Sequence, residues 1–205
     1  MRRLTGIATH RFREKASVFL TELHPAADAE ARAALLSALR KREFDATHHC
    51  SAWREGAPAA SAGSDDDGEP SGTAGRPMLA VLEGAEVTDL MAVCIRWYGG
   101  TKLGTGGLVR AYTEGVQGAL ADAQAQGLWE EVRIVRLGTI RVDLALAHLP
   151  FALLGAFPGV RILEQVFEAR EASLRFECPP DLVPALDAAW RDRSRGGRIA
   201  WEPEA

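Results

Sequence analysis

Cysteine is scarce in this chain. Cys50, Cys94 and Cys178 are the only three; they lie far apart, are odd in number and show no C-x-x-C spacing. Such a set cannot build a disulfide framework, which excludes the small secreted scaffolds and makes a reducing cytoplasm the expected compartment. No run of about 18 apolar residues occurs, and the basic stretch 1–17 has no apolar h-region, so neither a membrane span nor a signal peptide is expected. An excess of positive charge is also missing. With 24 basic against 28 acidic side chains the net charge is −4, which argues against a generalised polyanion binder and leaves room only for a local basic patch. Lysine is rare, at Lys15, Lys41 and Lys102 alone. Familiar catalytic signatures fail as well. There is no G-x-S-x-G elbow. The glycine-rich stretch after residue 98 is not a Walker A loop, and G-x-G-x-x-G fails because Val109 stands at the third glycine position.

What is present is ordinary globular material: 205 residues, 47% apolar and 25% charged, enough for one large or two small domains. Gly127-Leu128-Trp129-Glu130-Glu131 interrupts the texture, and we place a boundary there, giving expected domains of 1–130 and 131–205. In the second domain Ile140, Val142, Leu144 and Leu146 alternate as in a half-buried strand, and a short helix is expected from about His148. Strands are expected from Val160 and over Ala172–Cys178. A helix capped by Asp181 then buries Leu182, Leu186, Ala189 and Trp190, and a strand over Arg198–Trp201 follows. That β-α-β-β-α-β order is the ferredoxin-like split unit. In the first domain the pattern predicts strands over Thr5–Arg13, Ser17–Glu22 and Asp45–Trp53, and helices over Ala26–Arg40, from about Met78, and over Thr105–Gln126. The unbroken apolar run Leu90–Ile95 predicts a strand covered on both faces. Gly115 and Gly118 inside the long helix predict its close approach to the sheet. Gly56–Gly68 reads as an exposed loop. The class is α+β.

Three segments could carry chemistry. The first is Arg96-Trp97-Tyr98-Gly99-Gly100-Thr101-Lys102-Leu103-Gly104-Thr105-Gly106-Gly107-Leu108, where five glycines fall in nine positions just before a helix. Free amides at a helix start form an anion site, here with Gly104, Thr105, Gly106 and Gly107 supplying backbone and Arg96, Lys102, Arg110 and Arg76 supplying charge. The alternative is a tight turn whose glycines serve packing. The second is residues 64–77 with Asp65, Asp66 and Asp67 adjacent. An EF-hand template fails, and Mg²⁺ on Asp66, Asp67 or Glu69 stands beside a solvated acidic loop as alternatives. No other cofactor is indicated. The third is Asp45–Cys50, where alternation puts His48 and Cys50 on one face and His49 on the other. Two potential ligands on a face are too few for zinc, and a Cys50–His48 nucleophile pair would need a third, orienting group.

These segments, in this order, resemble the IMPACT family. The carrying blocks are Asp45-Ala46-Thr47-His48, then residues 66–77 (DDGEPSGTAGRP), then residues 96–112 (RWYGGTKLGTGGLVRAY). His49 and Ser51 depart from the family pattern, which usually has asparagine and an aromatic there. The resemblance implies an N-terminal domain with the fold of the second domain of ribosomal protein S5. It also implies a ferredoxin-like C-terminal domain similar to one in translation elongation factor G. Eukaryotic relatives regulate translation under amino-acid starvation by competing for an activator of a kinase; no catalytic residues carry over. The expected function is therefore non-enzymatic regulation of translation, binding RNA or a ribosome-associated protein through the glycine-rich anion site. A protein-interaction module and a Mg²⁺-dependent enzyme acting on a phosphorylated small molecule are the competing readings.

Overall fold

A computed structural model describes residues 1–56 and 61–203. The chain is mixed α+β and divides into two compact units, Met1–Val132 and Arg133–Ala205.

The first unit carries strands β1 (Arg2–Leu4), β2 (Ala8–Glu14), β3 (Ser17–Pro25), β4 (His48–Glu55), β5 (Ser61–Asp65), β6 (Val87–Thr88), β7 (Leu90–Trp97) and β8 (Trp129–Glu131). Its helices are α1 (Ala29–Arg42), α2 (Gly75–Gly84) and α3 (Thr105–Ala125). Five strands form an antiparallel sheet in the order β2-β3-β7-β4-β5, and β6-β1-β8 form a small second sheet. Central β7 is covered on both sides, as its apolar run predicts. Leu90, Ala92 and Cys94 join the core beneath α2 and α3, with Met78, Leu82, Leu108, Tyr112 and Val116. Met91, Val93 and Ile95 pack with Leu39 of α1 on the opposite face. Asp28 caps α1, its Oδ1 accepting from Ala31 N–H at 2.7 Å, while Arg40, Lys41 and Arg42 sit at the negative end of the dipole. The two helical glycines do bring α3 close: a Cβ on Gly115 would overlap Thr21 Oγ1, and one on Gly118 the His10 ring.

The expected loop over Gly56–Gly68 needs correction, although 57–60 lie outside the described residues. Ser61–Asp65 is an edge strand paired with β4 from Ser51↔Asp65 to Glu55↔Ser61. Small polar composition hid it, because an edge strand needs backbone pairing more than buried side chains. Gly63 moreover leaves the room that Trp53 occupies: a Cβ there would lie 2.8 Å from the indole.

The second unit contains β9 (Arg136–Asp143), α4 (His148–Leu154), β10 (Arg161–Phe167), β11 (Glu171–Cys178), α5 (Val183–Arg193) and β12 (Ala200–Trp201). The sheet order is β10-β11-β9-β12, antiparallel throughout. Ala172, Leu174, Phe176 and Cys178 alternate inward, the last three of them against Leu153, Leu154, Leu186 and Trp190. Two local expectations are corrected. Leu144 and Leu146 leave the strand pattern for a 3₁₀ turn, where Leu144 N–H donates to Arg170 C=O. Asp181 caps nothing with its side chain; it lies inside a 3₁₀ turn, Pro180–Leu182, that leads directly into α5.

Candidate functional site at the start of the long helix

Where β4 starts, β7 ends and α3 begins, the three chemistry-bearing segments meet around an open cavity of about 400 Å³. Cross-strand pairing sets His48 opposite Arg96, and alternation turns both toward the face covered by α3. The loop from residue 66 onward supplies Glu69 and Pro70. The glycine-rich segment supplies Tyr98, Lys102, Leu103, Gly104, Thr105 and Leu108. Thr47 fastens the strand ends together: its N–H donates to Arg96 C=O at 2.8 Å and its Oγ1 accepts from Tyr98 N–H at 3.1 Å.

Beneath the cavity runs a buried polar chain. Glu69 Oε1 accepts from Arg96 Nη1 at 2.6 Å and from Tyr112 O–H at 2.7 Å. Arg96 Nη2 donates to Ser17 Oγ at 3.1 Å, and the guanidinium lies over the Phe19 and Tyr98 rings. Cys50 Sγ continues the chain, 3.3 Å from the Tyr112 hydroxyl and 3.0 Å from Asp66 C=O. Burial pushes both the Cys50 thiol and the Tyr112 phenol strongly up, and pushes Cys94 up to about 12. Cys50 is therefore a protonated core thiol, and a Cys50–His48 nucleophile pair has no basis here. His48 is oriented separately. A carbonyl can only accept, so the 2.8 Å bond to Asp67 C=O puts the proton on Nδ1 and leaves Nε2 facing Glu69 Oε1 at 3.9 Å.

The acidic run is occupied internally. Asp66 Oδ1 accepts from Ala74 and Gly75 N–H, and its Oδ2 accepts from Gly72 N–H. Burial pushes the Asp66 pKa up, but these amides from Gly72, Gly75 and Ala74, with the charge of Arg76, outweigh it and lower the pKa. Asp67 accepts from Arg40 and from His49 N–H. Asp66, Asp67 and Glu69, the carboxylates weighed as alternatives for Mg²⁺, thus each already accept from protein donors. Among the described residues no group of three or more His, Cys, Asp or Glu is placed to hold a metal.

A depressed Asp66 pKa has a definite pH signature. Its stabilisation is fully present above the unfolded value of about 3.9 and is lost as pH falls through the lower folded value. Urea unfolding from neutral pH downward should therefore show a steeper acid loss in the wild type than in Asp66→Asn. Parallel curves would contradict the capping role.

The proposed anion residues divide. Arg96, Lys102, Gly104 and Thr105 line the cavity. Arg96, expected as a free phosphate contact, is 4% exposed and paired with Glu69. Gly104 has φ 75° and no side chain caps α3; among the described residues, the amides of Thr105, Gly106 and Gly107 have no internal acceptor. Lys102 is exposed. Lys15 Nζ, which sequence reasoning missed, sits 3.4 Å from the Lys102 carbonyl at the β2–β3 turn. Arg110 is exposed and reaches back over the first turn, its Nη1 3.8 Å from where a Gly106 Cβ would stand. Arg76 is exposed beside the Asp66 loop and does not line the cavity.

A family model described as the Impact N-terminal domain matches residues 15–120, a stretch containing every residue that lines the cavity. IMPACT family member YigZ of Escherichia coli (strain K12) is 50% identical over 186 residues, covering 89% of this chain and 87% of that one. The chain belongs to the IMPACT family. An IMPACT family member from Thermus thermophilus, encoded in the pol 5′ region, is 42% identical over 160 residues, 77% of this chain and 78% of that one. A crystallised protein described only as hypothetical superposes with TM-score 0.61 at 35% identity, over 100% of this chain and 97% of that one. His49 and Ser51, expected to depart from the family pattern, point away from the cavity. Their side of β4 faces α1, where His49 is buried, its Nε2 has no partner among the described residues, and burial lowers its pKa.

Proposed function

We propose that this IMPACT chain is a translation-associated regulator that performs no catalysis and engages RNA or a ribosome-associated partner through the cavity at the start of α3. One observation carries the reading: the helix start with its uncapped amides meets, at Gly104 and Thr105 and beside the exposed ammonium of Lys102, a cavity with apolar walls at Leu103 and Leu108. Such a helix start attracts a phosphate, and Tyr98, 42% exposed, offers a ring against which a base can stack. The internally occupied carboxylates of Asp66, Asp67 and Glu69 weigh against a Mg²⁺-dependent enzyme. We read the first unit as similar to the second domain of ribosomal protein S5. The second we read as ferredoxin-like, a reading supported by its β-α-β-β-α-β sequence of elements and its strand order.

The test is RNA binding followed across a salt series. Lys102→Ala should weaken binding and shallow the slope of log K against log salt by roughly 0.7–0.9, the value for one phosphate contact. An unchanged affinity and slope would remove Lys102 from the interface. Specific retention of a protein partner without any RNA affinity would leave the interaction-module reading in its place.

A further inference from the structure

The second unit has an unfinished sheet edge, and the charges around it are one-sided. Glu202 N–H donates to Leu137 C=O, and Ala200 pairs with Thr139. The odd-numbered residues of β9 thus direct their backbone polar groups toward β12. Leu144 N–H, bonded to Arg170 C=O, shows that the even-numbered ones look toward the β11 side. Because β12 is only Ala200–Trp201, the next odd positions face an edge with no strand opposite among the described residues: Arg141 turns both N–H and C=O to it and Asp143 its N–H, while the Asp143 carbonyl opens the 3₁₀ turn Leu144–Leu146. Instead a cleft of about 500 Å³ opens there, walled by Arg141–Asp143 on one side and by residues of 193–198 on the other. Arg141, Arg193, Arg195 and Arg198 all line it and are exposed, and among the described residues none has an ion-pair partner. Asp143 is the single acid in the lining. The unit as a whole has ten basic and ten acidic residues, so this clustering is local.

We infer that this cleft binds an extended acidic peptide segment, which adds to β9 as a further strand beside Arg141 and Asp143 while its carboxylates meet the four arginines. The site is separate from the cavity in the first unit and does not depend on the function proposed for it. An open edge is a template for strand addition, with main-chain bonds providing affinity and flanking side chains providing selectivity. Charge complementarity selects an acidic partner. The backbone selects a peptide over a nucleic acid: the exposed edge alternates the donor and acceptor of Arg141 with the donor of Asp143, whereas a phosphodiester presents a row of acceptors and would leave the Arg141 carbonyl unmet.

The probe is a short, capped, fluorescein-labelled peptide of alternating glutamate and valine, titrated into the full chain by anisotropy. Saturable binding is expected, with slowed hydrogen exchange at the amides of Arg141 and Asp143. Arg195→Glu combined with Arg198→Glu should abolish it. Asp143 has φ −56°, which proline adopts, so Asp143→Pro removes the edge donor along with the carboxylate, and relative to Asp143→Ala, which removes the carboxylate alone, it should weaken binding about tenfold at similar thermal stability. Methylating alternate amides of the peptide should weaken binding at least as much without altering the protein. The inference fails if the peptide does not bind, or if the methylated peptide binds as tightly as the plain one. It also fails if an oligouridylate of equal charge binds equally well and leaves both amides unprotected.

Discussion

Glu69→Ala should destabilise the first unit by about 3–5 kcal/mol, the range for breaking a buried ion pair from one side. The reason lies in what remains. Arg96 would keep a guanidinium that is 4% exposed, its counter-ion gone, with Ser17 Oγ as its remaining hydrogen-bond partner. Tyr112 would lose the carboxylate that accepts its O–H at 2.7 Å. Replacing both ends of the pair by apolar residues of similar size, as in Glu69→Leu with Arg96→Met, removes the desolvation penalty together with the attraction and should cost far less. Urea unfolding of the two variants side by side is the check. If the double variant is no more stable than Glu69→Ala, Arg96 is not the group that suffers. The pair also positions the cavity floor, so the double variant separates stability from ligand binding.

Gly99→Ala should be the other severe change, at about 3 kcal/mol, the upper end of the usual overpacking cost. A Cβ there would overlap the Ala16 carbonyl carbon and oxygen and the Ala16 side chain. The obstruction is mainly backbone, in the turn between β2 and β3, and no rotamer change relieves it. Gly84→Ala is the matched control. It ends α2, has open space around its would-be Cβ and lies outside the positive-φ residues. It should stabilise by roughly 0.4–1 kcal/mol by restricting the unfolded chain. Thermal denaturation of both variants tests the contrast, and similar shifts would show that glycine flexibility rather than contact governs these sites.

How far residues alone predicted this arrangement can be followed position by position. Leu90–Ile95 announced a doubly covered strand because apolarity at consecutive positions has no other use in so short a run, and α3 runs within a residue of its expected limits. Gly115 and Gly118 announced close packing because nothing else justifies their cost inside a helix. Ser61–Asp65 was illegible, since pairing with β4 is a backbone property that side-chain composition does not report. Asp181 looked like a cap, yet the two prolines before it started a 3₁₀ turn first. Lys15 gave no signal at all: it is 87 positions from the carbonyl it approaches.

The same division holds for the candidate site. Composition and spacing by themselves determined the α+β class and the glycine-rich approach to a helix, and the three motif blocks carried the family resemblance. Only the folded chain decided which charges stay available. Arg96, Asp66 and Asp67 found partners 27, 9 and 27 positions away in the chain, while Lys102 remained exposed. The physical reason is that periodicity and helix-end chemistry act over neighbouring residues, whereas neutralisation of a charge depends on distance in space, which exists only after the strands have paired.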